Sequence, residues 1–147
     1  MGAYDYIQIN SIPFMVEDFI NQYEKNKGEL SEVEANCLAL IDALDKNKDK
    51  LKEDFYNRNR ITYQKIIIDC HRQQLIIEKN IAVLNSIAVQ MDVKKLGKYK
   101  KILEKEPNKI MELSSAVSCL RVECNANSKR VKEDIMLTDF FDNIEAE

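Results

Sequence analysis

Between Leu30 and Met91 the chain contains neither glycine nor proline, and its 147 residues hold only three glycines and two prolines in all. Tight hairpin turns and phosphate-cradling loops are built from those residues, so β architecture and glycine-rich nucleotide sites have almost no material here. What remains is a chain of long helices. The all-α class is expected, as an elongated helical bundle or coiled coil of amphipathic helices.

The apolar pattern sets out the elements. Ser11 ahead of Ile12 and Pro13 has the form of a helix start, because the first-turn N–H groups lack partners and proline needs none. A short helix over about 12–26 follows, with Met15, Phe19, Ile20 and Tyr23 on one face and Gly28 as its stop. A long helical region over about 30–95 carries Leu30, Val33, Cys37, Leu40, Leu44, Asn47, Leu51 and Phe55. The stripe weakens through Tyr56-Asn57-Arg58-Asn59-Arg60, where a break at 56–60 would fall. Beyond it the steps of four and three are strict: Tyr63, Ile67, Cys70, Gln74, Ile77, Ile81, Leu84, Ala88 and Met91. Such alternation makes a heptad seam. A second line, Ile61, Ile68, Leu75, Ala82 and Val89, repeats every seven residues beside it and gives the helix a second neighbour. Gly97 ends this region, a lysine-rich connector runs to Lys109, and a last helix over about 107–137 shows Ile110, Leu113, Val117, Leu120, Cys124, Asn127 and Val131. Residues 1–137 are read as one helical domain and 138–147 as an acidic aromatic tail. Asn47, Gln74 and Asn127 interrupt the seams, either as polar residues that fix register and partner choice or as places where each seam is simply wetter.

Charge and composition narrow the partners. A net charge of −3 with both signs mixed along the chain leaves no basic footprint, so direct nucleic-acid binding is not expected. No apolar run approaches the length of a membrane span and no signal peptide opens the chain, which predicts an intracellular protein without membrane insertion. Cys37, Cys70 and Cys124 fall on apolar stripes, where a free thiol behaves as a small hydrophobe.

Catalytic chemistry is hard to find. Asp45, Asn47 and Asp49 imitate the opening ligands of a calcium loop, but Lys50 stands where that loop needs glycine and Tyr56 where it needs a bidentate glutamate. His71 follows Cys70 directly, and neighbours on a helix point about 100° apart, so the two do not form a nucleophile and base. Cys119 and Cys124 have no second ligand pair to close a zinc site. No enzyme activity, cofactor, metal or small-molecule substrate is expected.

Two segments resemble known families. Tyr6-Ile7-Gln8-Ile9-Asn10-Ser11-Ile12-Pro13-Phe14 resembles the opening of the inhibitor-of-growth family's N-terminal helical domain, and Ile77-Glu78-Lys79-Asn80-Ile81-Ala82-Val83-Leu84 looks like the late part of its second helix, a likeness over about 4–92. Met15 and Val16 depart from that motif, and the chain has no Cys and His array for the family's PHD finger, so reading of histone marks does not carry over. The resemblance implies self-association and anchoring in histone acetyltransferase or deacetylase complexes, and a nuclear location; without it the location is cytoplasmic. Asp139-Phe140-Phe141-Asp142-Asn143-Ile144-Glu145 resembles the two-phenylalanine acidic motif bound by major-sperm-protein domains, and the other reading of these residues is a tail whose phenylalanines fold back onto the bundle.

The expected function is a non-catalytic structural or adaptor subunit that binds a protein partner, or another copy of itself, through the seam from Tyr63 to Met91. The alternatives are a cytoplasmic adaptor that uses Phe140 and Phe141 as anchors, and a helical chaperone.

Overall fold

The computed structural model describes residues 8–146, with side chains through Phe140. Three long helices form a helical bundle, and no strand occurs among the described residues. α1 spans Ile12–Lys46, α2 Glu53–Gln90 and α3 Leu96–Ala146, each preceded by a single 3-10 turn. The chain divides into two compact units. Unit 1 takes the first part of α1 to Glu29 together with Arg72–Val117, and unit 2 takes Leu30–His71 with Ser118–Glu147.

Each helix buries one narrow stripe. On α1 the buried residues are Ile12, Val16, Phe19, Tyr23 and Asn26 in unit 1, then Leu30, Val33, Cys37, Leu40 and Leu44 in unit 2. The steps of four and three never break. Gly28 therefore does not stop the helix: it sits on the solvent side of that stripe, and a Cβ added there would meet nothing within 4 Å. A glycine off the buried face costs helix stability without ending the helix. Val16 takes the core position in place of Met15 and Ile20, which are half-buried. Ser11 does not cap α1, since its hydroxyl donates back to the Gln8 carbonyl at 2.7 Å.

The break in the long helical region lies at Asn47–Lys52 and not at 56–60. Asn47 turns its amide onto the Ala43 carbonyl (2.8 Å), a short 3-10 turn spans Lys48–Lys50, and Leu51 is extended. The charged stretch that imitates a calcium loop is this turn. Tyr56 and Asn59, in the segment expected to break, are buried on α2. The turn is clamped from one side: the Tyr56 hydroxyl (2.6 Å) and Arg60 Nε (3.0 Å) both donate to one oxygen of Asp45. Arg60 first, and then the Tyr56 hydroxyl, hold the Asp45 carboxyl below the usual carboxylate range.

α2 ends at Gln90, ahead of Gly97. Met91 takes the left-handed conformation (φ 44°) that closes many helices, a place usually given to glycine or asparagine. Its half-buried side chain continues the step of four from Ile87, and that burial offsets the backbone cost. Asp92 then accepts a bond from the Lys94 N–H at 3.0 Å, and α3 begins at Leu96 with Gly97 in its first turn. The lysine-rich connector is thus helix, and Pro107 lies inside α3 and does not begin it. Its missing N–H leaves the Leu103 carbonyl without its usual donor. The ring is exposed, while Tyr99, Leu103, Glu106 and Ile110 carry the buried stripe past it. From Ile110 to Val131 the stripe follows the expected residues, all buried but Asn127, which is half-buried.

Candidate functional site

The seam expected to bind a partner is the protein's own core. Tyr63, Cys70, Ile77 and Leu84 are each 0 % exposed, and Ile67, Gln74, Ile81, Ala88 and Met91 are half-buried. A side chain without exposed surface cannot touch a partner while the fold stands. The buried line also runs one residue to the side of the expected one: Ile66 and Ile87 are buried where Ile67 and Ala88 are half-buried. Gln73 and Gln74 share the partly buried position between Cys70 and Ile77.

What is left over is outside. The second line of α2 is not part of the core, for Ile61 and Ile68 in unit 2 and Leu75, Ala82 and Val89 in unit 1 are all exposed. In unit 1 this line widens into a face. Leu75, Ile76, Ala82, Val83 and Val89 lie within an arc of about 140° at 3.6 residues per turn, which Arg72, Lys79 and Ser86 share. Leu75 is 65 % and Val89 85 % exposed. Single exposed apolar residues are ordinary, but several on one helical face mark a contact surface.

Beside that face a groove of about 510 Å³ opens in unit 1, with Ile76 and Val83 of α2 on one wall and Leu113 and Ala116 of α3 on the other. Lys79, Lys109 and Glu112 stand around it, and Tyr23 of α1 closes it below. Tyr23 is 0 % exposed, and its hydroxyl donates to the carboxylate of Glu106, itself 1 % exposed. Lys109 Nζ lies 3.8 Å from the other oxygen of Glu106. Burial first, and then the Glu106 bond and charge, raise the Tyr23 hydroxyl far above its ordinary pKa. Asn26 adds a bond to Ser114 Oγ at 3.2 Å. Glu106 was hidden from periodicity because a glutamate is not counted as a seam residue, although it stands four residues before Ile110 and three after Leu103.

Unit 2 gathers thiols. Cys37 of α1 donates its thiol to the sulfur of Cys124 of α3 at 3.5 Å, with no disulfide between them, and Cys70 of α2 is buried in the same unit. Burial, followed by the neighbouring sulfur of Cys124, raises the Cys37 thiol, and burial with the charge of Glu34 pushes Cys70 up to about 11. His71 faces out and meets Glu34 at 2.7 Å. No group of three metal-ligating side chains forms among the described residues. A hollow of about 800 Å³, also in unit 2, mixes Lys50, Lys52, Arg58 and Arg130 with Glu53, Asp54 and Asp134, so it offers no field of one sign.

The tail is not extended. α3 continues to Ala146, and Phe140 on it is 58 % exposed, whereas the side chain of Phe141 lies outside the described residues. An anchor motif that must lie as a strand in a groove is here wound as helix. No helix of the described residues is long and apolar enough to cross a membrane. No family model, curated protein or solved structure matches the chain.

Proposed function

We propose that the protein is a non-catalytic adaptor or structural subunit, and that it binds an amphipathic helix of a partner protein on the α2 face of unit 1. The observation that carries this reading is the exposed apolar arc of Leu75, Ile76, Ala82, Val83 and Val89 beside a groove with apolar walls. Helix-in-groove recognition needs that pair of features, an apolar floor and anchoring positions one or two turns apart. Lys79 and Lys109 at the groove favour acidic residues flanking the partner's apolar stripe. Membership of a histone-modifying assembly is the particular setting that the inhibitor-of-growth resemblance adds.

The test is co-purification and sedimentation of a Leu75→Asp, Val83→Asp variant against the parent chain. Both residues are exposed, so the melt should change by only about 0.5 kcal/mol per site. The bound partner, or the second copy, should be lost. Unchanged co-purification and an unchanged sedimentation coefficient would exclude this face.

A further inference from the structure

Unit 2 contains a cleft of about 200 Å³ lined by Asn36, Leu40, Asn125, Ser128 and Lys132, and Cys124 forms part of its wall. Room for one water needs only about 10–15 Å³, so a molecule as small as hydrogen peroxide fits with space to spare. Behind Cys124, at 3.5 Å, lies the sulfur of Cys37. That is about 1.5 Å longer than a disulfide bond and already within contact range. The hydroxyl of Tyr63, also in unit 2, is fully buried and has no hydrogen-bond partner. Its pKa is raised by burial and then by the charges of Cys124 and Cys37. An orphaned buried hydroxyl is uncommon and costly, and it is a donor open to an acceptor.

The geometry points to an oxidation site in which peroxide converts Cys124 to a sulfenic acid, Cys37 resolves it to an interhelix disulfide, and the Tyr63 hydroxyl positions the sulfenic oxygen. The steps balance. The Cys124 sulfur, having given up its proton, attacks one peroxide oxygen; the O–O bond breaks, and the departing hydroxide takes that proton and leaves as water. The Cys37 sulfur then attacks the Cys124 sulfur; the S–S bond forms, the S–O bond breaks, and the hydroxyl leaves as a second water with the Cys37 proton. Two thiols and one peroxide yield one disulfide and two waters, with two electrons passing from sulfur to oxygen. Lys132 supplies the cationic side chain of the cleft. Cys119, the exposed cysteine, lies outside this arrangement.

The experiment uses the full chain carrying Cys119→Ser, so that surface thiol chemistry is silent. After exposure to hydrogen peroxide, denaturation in alkylating reagent and peptide mapping, residues 37 and 124 should be recovered as one cross-linked species, two hydrogens lighter than the reduced pair and reversed by a thiol reductant. Cys37→Ala in the same background should stall at Cys124 sulfenic acid, trapped by dimedone. Tyr63→Phe keeps the ring and should fold at least as well, yet form the cross-link several-fold more slowly; an unchanged rate would remove Tyr63 from the site. Full alkylation of Cys37 and Cys124 in the Cys119→Ser chain, under peroxide conditions that oxidise Cys119 in the parent protein, or a cross-link made to Cys70 instead, would overturn the proposal. The cross-linked peptide decides it even if Cys37→Ala does not fold.

Discussion

Tyr23 and Tyr63 occupy equivalent steps of two seams, each with no exposed surface, and their hydroxyls meet opposite fates. In unit 1 the hydroxyl of Tyr23 finds a buried carboxylate, which is itself approached by Lys109. In unit 2 the hydroxyl of Tyr63 finds no partner. The same four-and-three spacing therefore carries two kinds of interior. A buried charge with a matched donor fixes register, since any slip strands it; an interior of thiols and methyl groups tolerates a slip more cheaply.

Placing a charge in a seam gives the largest effect with which to calibrate that contrast. Ile77→Asp sets an unpaired carboxylate where no surface is exposed, and should cost several kcal/mol, about 4 or more, in urea unfolding. The comparison proper is tested next. Tyr23→Phe leaves Glu106 buried without its hydroxyl donor and should cost about 2–3 kcal/mol, whereas Tyr63→Phe removes a group without a partner and should be neutral or stabilising by about 0.5 kcal/mol. Equal losses would show that the two interiors do not differ as described.

Alkali should find the thiols. Cys70 titrates near 9.0 when unfolded and at about 11 in the fold. The folded state therefore keeps its proton longer, and the stabilisation is complete below pH 9 and lost as pH rises through 11. Urea midpoints at pH 8 and pH 10.5 should fall by an amount that Cys70→Ala reduces. Smaller still, Gly28→Ala should stabilise by about 0.5–1 kcal/mol, because the site is helical and open. Phe140→Ala should move the melt by less than about 0.5 kcal/mol, as expected of a ring more than half exposed.

Much of the fold was legible and the failures have particular causes. The helical class followed from the lack of turn residues, and the last stripe from Ile110 to Val131 was read residue by residue. On α2 the reading slipped by one position at alternate steps, and the residues explain why: Ile66-Ile67 and Gln73-Gln74 are the same side chain written twice, so hydropathy alone could not say which of each pair turns inward. Gly28 reads as a boundary because propensity marks it so, but a stripe continuous on both sides overrides it. The turn at Asn47–Lys52 was missed because Leu44, Asn47 and Leu51 keep the spacing by accident. The groove of unit 1 is not visible in the sequence, since its walls come from α2 and α3, which only the fold brings together. The three interior thiols were placed correctly as small buried side chains, but the contact between Cys37 and Cys124 required the fold, because they lie 87 residues apart.

That separation also orders the making of the protein. The division of the chain means that every segment of unit 1 has been synthesised once Val117 is joined, while unit 2 still lacks Ser118 onward. At about 5–20 residues per second, the apolar stripes of Leu30–Leu44 and Tyr56–Cys70 wait a further 2–6 seconds or so for their third helix. A nascent chain paused in that interval presents Cys37 uncovered. The ribosome-bound stage is thus when unit 2 is open to mispairing.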